Sequence, residues 1–384
     1  MTDVVVAGGG LIGLGVAWRA ARRGLSVVVV DDAPGTGASA AAAGMLAPVT
    51  EAGYREEALL RLGLASLERW PAFAAELERD SGLPVGLRTA GTLVVGFDDD
   101  DMRELEALHD FQQQLGLSAE RLLPRAVRRR EPSLTPRVRG GLLVTGDHSV
   151  DGRAVHGALL AAAAAAGAEL VRDRADGLLV EDGRATGLRL TGGGTVRAGS
   201  VVVALGAHSG RLAGGPPVPV RPVKGQILRM AGAAGLLDGT VRALVRGRHV
   251  YLVPYGGNGL IVGATTEDRG FDGTVTAGAV HDLLHDAIDV VPGVSELELA
   301  ETMARWRPGT PDNAPLLGPA SLPGLVLATG HHRNGVLLTP VTADAIADLL
   351  VSGSLPEVAA PFTVDRFGHA DVRSAAPGGG EQCR

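Results

Sequence analysis

The stretch Val4-Val-Val-Ala-Gly8-Gly9-Gly10-Leu-Ile-Gly13 is followed by an alanine-rich segment and then by Leu25-Ser-Val-Val-Val-Val30-Asp31. A short apolar run precedes the glycines, and an acidic residue ends the next apolar run 23 residues after Gly8. This order predicts a strand, a glycine turn, a helix and a second strand, which is the fingerprint of a dinucleotide-binding βαβ unit. We therefore expect the chain to bind an adenine dinucleotide, with Asp31 accepting hydrogen bonds from the ribose hydroxyls.

Each glycine of the fingerprint has a separate physical purpose. Gly8 permits the tight turn, Gly10 lets backbone amides approach a pyrophosphate, and Gly13 lets the helix pack closely on the sheet. The helix N-terminus faces the negative charge of the phosphates. The cofactor contacts predicted in this unit are Gly8, Gly10, Leu11, Ile12, Gly13, Asp31 and Asp32.

Length and charge bound the class of protein. The chain has 384 residues, a mass of 39.2 kDa and a formal net charge of −7. This length favours two globular domains, and the acidic balance disfavours nucleic acid and anionic membranes as partners. The apolar run Ala158 to Ala168 is too short to span a bilayer, so we interpret it as a packed helix and expect no membrane association.

Cysteine and lysine are both rare in this chain. The single cysteine, Cys383, lies in a glycine-rich tail, which excludes a disulfide framework, a thiolate metal cluster or a cysteinyl cofactor link within the folded body. We expect no metal site and a cytoplasmic location. Among 36 basic residues the only lysine is Lys224, which either has a special role for a compact ammonium or is simply the one lysine in an arginine-rich composition.

Apolar periodicity predicts the remaining organisation. Small residues from Gly35 to Pro48 suit backbone that lies along a cofactor. Helices are predicted over 58–79, 98–115 and 154–166, and strands over 93–97, 169–171, 178–181, 185–190, 201–205, 249–255, 260–263 and 325–328.

The predicted fold class is α/β with an α+β second domain. A discontinuous Rossmann-like cofactor domain is expected over 1–82, 145–212 and 322–367. Hairpin signals predict a substrate domain built on an antiparallel sheet over 83–144 and 213–321. Residues 368–384 have the composition of a flexible tail.

Several motifs together resemble the FAD-dependent amine and amino-acid oxidases, the family of D-amino-acid, sarcosine and glycine oxidases. They are GGGLIG, the acid Asp31, ASAAAAGMLAP, VVVALGAHS, RPVKGQ, RPGTPDNAPLLG and GHHRNGVLLTP. The resemblance covers nearly the whole chain and is greatest to the glycine oxidases that supply thiamine thiazole synthesis. It implies non-covalently bound FAD, with the closing glycine turn setting a helix N-terminus against the flavin pyrimidine ring. The further FAD contacts expected from it are Ser39, Ala43, Gly44, Met45, Val171, Gly206, Lys224, Gly330, Asn334, Gly335, Val336 and Leu337.

The reaction implied by the resemblance is hydride transfer from the substrate Cα to the flavin, giving an imine, with dioxygen then reduced to hydrogen peroxide. The site needs a fixed substrate carboxylate and exclusion of water. A carboxylate is best held by a planar fork of donors, so Arg307, at the family's RPGT motif, is the candidate clamp. The alternative for Arg307 is a structural ion pair.

Tyr251 is the second candidate catalytic residue, because strand alternation places it on the polar face with His249, away from Val250 and Leu252. It would donate to the carboxylate or form a wall, unless it is a core tyrosine. His249 would orient Tyr251 or the substrate, or be an ordinary surface or core residue. Arg333, in the turn after Gly330, would meet the substrate or the flavin carbonyls, or be structural.

The identity of the substrate stays open at this point. The strand predicted over 260–263 is followed by Ala-Thr-Thr266-Glu, which is polar where a pocket for glycine would have a bulky apolar residue above the substrate. Glycine, sarcosine, D-alanine and D-proline are therefore all candidates, with Thr266 in the substrate pocket. Dioxygen or another acceptor would take the electrons. A flavin-binding subunit of a larger complex is the competing class, and the resemblance implies a homotetramer.

Overall fold

The computed structural model describes residues 2–367, which form two large β-sheets with helices on their outer faces. The strands are β1 (Thr2–Ala7), β2 (Val27–Val30), β3 (Met45–Leu46), β4 (Thr92–Gly96), β5 (Glu120–Leu122), β6 (Gly140–Val144), β7 (His148–Ser149), β8 (Glu169–Val171), β9 (Ala175–Glu181), β10 (Arg184–Leu190), β11 (Thr195–Val203), β12 (Arg221–Ala231), β13 (Thr240–Val245), β14 (Arg248–Tyr255), β15 (Gly259–Gly263), β16 (Glu298–Gly309), β17 (Leu316–Pro319) and β18 (Leu325–Thr329). The helices are α1 (Leu11–Arg22), α2 (Ala38–Ala41), α3 (Glu57–Ser81), α4 (Asp99–Gln114), α5 (Pro124–Arg130), α6 (Gly152–Ala165), α7 (Ala277–Val290) and α8 (Thr339–Ser352). Short 3-10 turns lie at Gly206–Arg211, Pro292–Glu296, His332–Asn334, Ala360–Phe362 and Val364–Arg366.

The first sheet carries the glycine fingerprint. Its strand order is β17-β18-β11-β1-β2-β8, with β1, β2, β8, β11 and β18 parallel and the β9-β10 hairpin attached to β11. Alternate residues of β1 face opposite sides, as a strand requires. Val4 and Val6 pack on α1, α3, α6 and α8, whereas Val5 and Ala7 pack against the hairpin. Both faces of the parallel strands are therefore buried.

The second sheet has the order β16-β12-β15-β14-β13-β4-β6-β5 and is antiparallel except for the β13-β4 pair. One face is covered by α7, whose Leu283, Ala287 and Val290 enter its core. The other face packs through Ile227 against Ala43 of the small-residue segment. This contact brings the two sheets together along one seam.

Each helix and strand predicted with bounds overlaps an observed element, whereas α7 and the strands β6, β12, β13 and β16 were not predicted individually. Asp98 caps α4 by accepting from the backbone amides of Asp100 and Asp101, in the capping box expected of an acidic N-terminus. The turn Asp182-Gly183 joins β9 to β10, which contain the strands predicted over 178–181 and 185–190. Helix α6 begins two residues earlier than predicted, because the Asp151 side chain caps it by accepting from the amides of Arg153 and Ala154.

One boundary of the predicted domain division is wrong. The substrate domain was expected to extend to residue 321, but Leu316–Pro319 pairs with β18 of the first sheet. Its antiparallel pairing with Leu325–Thr329, which follows after a short turn, places this segment in the first sheet. The rest of the division stays a prediction, and the tail predicted over 368–384 lies outside the described residues.

Among the described residues, no helix is both long and apolar enough to cross a membrane. The same part of the chain contains no cluster of three or more His, Cys, Asp or Glu side chains that could hold a metal ion.

Candidate active site

A cavity of about 1000 Å³ lies between the two sheets. One end is formed by the fingerprint turn, the end of β2 and the small-residue segment. The other end is formed by the open face of β12, β14 and β16 and by the turn after β18. The cavity therefore has a backbone-rich end suited to a dinucleotide and a side-chain-rich end suited to a small substrate.

The backbone-rich end has no room for side chains at three glycines. A β-carbon at Gly8, which has φ +111°, would overlap the carbonyl of Ala204, and one at Gly13 would overlap the carbonyl of Gly8. Gly44, with φ +85°, would overlap the carbonyl of Val150 in the same way. These close approaches leave the α1 N-terminus open to the cavity, which is what a pyrophosphate requires.

Side chains at this end hold the fingerprint turn in place. The carboxylate of Asp31 accepts from the backbone amide of Gly9 at 2.6 Å and from that of Ala33 at 2.8 Å. The hydroxyl of Ser39 accepts from the Leu11 amide at 3.2 Å. Asp32 is engaged by Arg174, whose guanidinium lies 2.7 Å from its carboxylate. The turn, the acid and the small-residue segment thus form one preorganised cradle that fits FAD.

The side-chain-rich end is organised around Arg307 on edge strand β16. Its guanidinium lies over Gly225 of β12, in the space that a side chain at 225 would occupy. One terminal nitrogen donates to the carbonyl of Thr265 at 3.1 Å. The guanidinium also interacts with the Tyr251 hydroxyl and lines the cavity. This is the arrangement expected of a carboxylate clamp.

Tyr251 reaches the same region from β14. Its ring lies over Gly263 of β15, again in the place of a missing side chain. Burial raises the pKa of the Tyr251 hydroxyl, and the nearby guanidinium of Arg307 partly offsets that rise. The hydroxyl is therefore protonated at neutral pH and available to donate a hydrogen bond.

Sequence reasoning missed a charge network beside the clamp. Glu51 accepts from Arg242 at 2.5 Å and lies 3.6 Å from Arg333, and all three side chains line the cavity. Arg333 also contacts Glu56 at 3.3 Å. The one sequence signal for Glu51 is that it is the first charged residue after the long small-residue segment.

The sequence analysis also did not predict two histidines in the turn that follows β18. Burial lowers the pKa of His331 to about 3 and is the main cause that lowers the pKa of His332 to about 4. His331 bonds to the hydroxyl of Thr342 at 3.0 Å, and His332 lines the cavity. Both rings are neutral at pH 7, so they add no positive charge to this end of the site.

Most of the predicted site residues lie on the cavity wall. These are Gly8, Gly10, Leu11, Ile12, Asp31, Asp32, Ser39, Ala43, Gly44, Met45, Gly206, His249, Tyr251, Thr266, Arg307, Arg333, Gly335 and Val336. Gly13 supports the turn from behind. The structure does not bring Val171, Lys224, Gly330, Asn334 or Leu337 to the wall.

Lys224 is the clearest departure from the sequence prediction. It alternates with Gly225 on β12, so when Gly225 faces the cavity the lysine faces away. Its ammonium lies 2.6 Å from Asp272 and 3.6 Å from Glu267. The expected contact between Lys224 and FAD is therefore replaced by ion pairs of the buried ammonium with the partly exposed carboxylates of Asp272 and Glu267.

Comparison with known proteins identifies the family. Residues 3–349 match the model of the FAD dependent oxidoreductase family. The chain belongs to this family and is an FAD-dependent oxidoreductase, in agreement with the cradle described above.

Individual relatives are similar over nearly the whole chain. A glycine oxidase of Geobacillus kaustophilus is 34% identical over 95% of this chain and 97% of its own length. The crystal structure of glycine oxidase from that organism superposes with a TM-score of 0.88 at 33% identity, covering 95% of this chain and 99% of the other. An iminodiacetate oxidase from Chelativorans superposes with a TM-score of 0.84 at 26% identity, covering 94% and 98% of the two chains.

A second group of relatives is longer. The bifunctional protein ThiO/ThiG of Trichormus variabilis is 34% identical over 95% of this chain but over only 55% of its own length. The chain thus spans about half the length of this bifunctional relative.

Proposed function

We propose that this protein is a glycine oxidase, which converts glycine, dioxygen and water to glyoxylate, ammonia and hydrogen peroxide. The observation that carries the proposal is the joint presence of Arg307 and Tyr251 over two glycines at the end of the cavity remote from the fingerprint turn. The similarity to glycine oxidases over nearly the whole chain supports it.

The chain's own residues would fix the substrate. The Arg307 guanidinium presents charge-assisted donors to the carboxylate, and the Tyr251 hydroxyl donates a further bond. The hydrogen bond from Arg307 to the Thr265 carbonyl holds the guanidinium in one orientation. His332 is neutral at pH 7 and does not oppose the approach of an amine that carries a proton. When bound, FAD supplies the acceptor for the hydride leaving the substrate Cα.

Substrates somewhat larger than glycine are compatible with the same oxidase activity. Thr266 is an exposed polar residue on the cavity wall, so it sets no bulky apolar ceiling over the substrate. Sarcosine and D-alanine are therefore the alternative substrates to test beside glycine. Thr266 and His249 would shape the pocket, while Arg333 would act through its contact with Glu51.

The biological setting follows from the relatives. We propose that the product supplies thiazole synthesis for thiamine, because bifunctional ThiO/ThiG proteins are among the similar chains. We further propose a cytoplasmic homotetramer that uses dioxygen as its electron acceptor.

The proposal is tested by anaerobic absorbance titration of the FAD-loaded protein with glycine, sarcosine and D-alanine, followed by air and a peroxide assay. Bleaching of the flavin by glycine, with stoichiometric peroxide on aeration, is the expected result. Bleaching without peroxide would indicate a different electron acceptor. A yellow protein that none of the three bleaches would leave the family intact and refute amino-acid oxidation.

A further inference from the structure

The only lysine of the chain lies behind the substrate clamp. Lys224 and Gln226 are each 1% exposed and lie on the face of β12 opposite to Gly225 and Ile227, which line the cavity. A buried ammonium is costly unless it is paired. Lys224 is paired with Asp272 and Glu267, both of which belong to the segment 264–276 that follows β15.

Segment 264–276 is attached to β12 through backbone as well as side chains. The amide of Lys224 donates to the carbonyl of Glu267 at 3.0 Å, and the amide of Glu267 donates back at 2.9 Å. The ammonium of Lys224 also holds the pKa of Asp272 well below its usual range. The carboxylate of Asp272 in turn accepts from the backbone amide of Thr274 at 3.0 Å.

Gln226 makes the adjoining part of this attachment. Its side-chain amide donates to Glu267 at 2.8 Å and its side-chain oxygen accepts from the amide of Thr276 at 2.9 Å. The backbone amide of Gln226 donates to the Thr265 hydroxyl at 2.9 Å, and its carbonyl accepts from the Thr265 amide at 3.2 Å. Thr265 is therefore fixed to β12 at two points, and its hydroxyl also donates to Glu267 at 2.5 Å.

Thr265 connects this attachment to the substrate site. Its carbonyl accepts the hydrogen bond from Arg307, and the next residue, Thr266, lines the cavity. The orientation of the guanidinium thus depends on where the start of the segment lies. We call Lys224, Gln226, Thr265, Glu267 and Asp272 the backing network.

We propose that Lys224 is a positioning residue for substrate binding, which acts through the backing network to hold the Thr265 carbonyl and hence the Arg307 guanidinium. This inference rests on the proposed function only in taking Arg307 to bind the substrate carboxylate. Lys224 touches neither the cavity nor any group that reacts. Its effect should therefore fall on carboxylate affinity and much less on turnover at saturation.

The test compares wild type with Lys224→Met, which keeps the length of the apolar stem and removes the charge. Acetate serves as a carboxylate probe, and its dissociation constant is read from the perturbation of flavin absorbance. Because a small misplacement of a binding group can cost up to about 100-fold, we expect acetate affinity and apparent glycine KM each to worsen about tenfold, with kcat changed less than about twofold.

A second readout is independent of activity. Arg269 and Gly270 are exposed within segment 264–276, so trypsin cleavage after Arg269 gives fragments 1–269 and 270–384. Loss of the ammonium leaves two neighbouring carboxylates unpaired, and the segment should then be cleaved several times faster. The matched control is Arg103→Met, which removes the cation of the exposed Arg103–Asp100 pair and should leave both readouts unchanged.

The outcomes separate the two proposals. Wild-type acetate affinity in Lys224→Met would overturn the positioning role, even if cleavage after Arg269 became faster, since that result describes a purely structural anchor. If Lys224→Met does not fold, Asp272→Asn decides in the same way, with a smaller shift expected because Glu267 still pairs with the lysine. A wild-type protein that binds FAD and acetate without oxidising glycine would refute the proposed function, while the acetate and trypsin results would still decide the role of Lys224.

Discussion

The guanidinium of Arg307 lies directly against the α-carbon of Gly225, in the space that any side chain at position 225 would fill. Gly225 has an ordinary strand conformation, so its replacement by alanine carries no backbone strain and acts through the β-carbon alone. We expect Gly225→Ala to displace Arg307 and to raise the glycine KM by about 10-fold to 100-fold. Steady-state kinetics measures this change. Gly278→Ala is the control, since a β-carbon there meets open space on α7, and equal KM values for the two variants would contradict the expectation.

Replacing Arg307 should lower kcat/KM more than replacing Tyr251. A hydrogen bond to a charged group contributes about 1.5–3 kcal/mol, and Arg307 offers several donors and a positive charge to the carboxylate where the Tyr251 hydroxyl offers one donor. We therefore expect Arg307→Ala to lower kcat/KM by at least about 10-fold to 100-fold and Tyr251→Phe by several times less. An Arg307→Ala variant with an unchanged glycine KM would remove the clamp assignment, and unchanged kinetics in Tyr251→Phe would remove that of Tyr251.

Glu51 sets the net charge of the substrate end, since it neutralises part of the charge on Arg242 and Arg333. Glu51→Gln should favour substrates with a second carboxylate. The ratio of kcat/KM for iminodiacetate to that for glycine should rise about tenfold, which corresponds to about 1.4 kcal/mol. Glu56→Gln is the matched control, because Glu56 contacts Arg333 but does not line the cavity. A ratio that stays level or falls in Glu51→Gln would rule out this role.

Buried titratable groups predict how stability depends on pH. Burial lowers the folded-state pKa of His331 to about 3, from an ordinary value of 6.5, so the unfolded state binds more protons between these values. His332, at about 4, acts in the same direction. Stability from both histidines is therefore present above pH 6.5 and is lost on acidification. Thermal unfolding should show the melting temperature falling from pH 7 to pH 4.

Asp147 opposes this trend. Burial raises its folded-state pKa from 3.8 to about 6, so its contribution is present below pH 3.8 and is lost as the pH rises through 6. Removing the group with Asp147→Asn should make the loss of stability between pH 6 and 4 steeper than in wild type. A shallower slope in that variant would show the sign for Asp147 to be wrong.

The cofactor end could be predicted from the sequence because its geometry is local. Gly8, Gly13 and Asp31 belong to one βαβ unit, and backbone sterics alone dictate where glycine is required. Tyr251 could be placed on the cavity face from strand alternation, since side chains of a strand alternate with a period of two. The same parity rule, applied to Arg307 and Gly225 together, would have shown that Lys224 faces away from the cavity.

The charge network could not be predicted in this way. Glu51, Arg242 and Arg333 are far apart in sequence, and their meeting depends on how the two sheets pack. No spacing rule connects a loop after β3, a strand in the second sheet and a turn after β18. The position of β17 escaped prediction for a related reason, because a four-residue strand is assigned by its partner and not by its own pattern.

The short connection between β16 and β17 has a consequence for how this enzyme can diversify. Only residues 310–315 separate the strand of Arg307 from the first sheet, and Thr310 pins the link by donating to the Ala314 carbonyl at 2.7 Å. This short connection thus limits how far the clamp can move relative to the cofactor cradle. Mutations on β14 and β15 can therefore change the shape of the pocket without changing the distance between Arg307 and the cofactor cradle. Substrate specificity can evolve in this way while the position of the substrate carboxylate relative to the cofactor is kept.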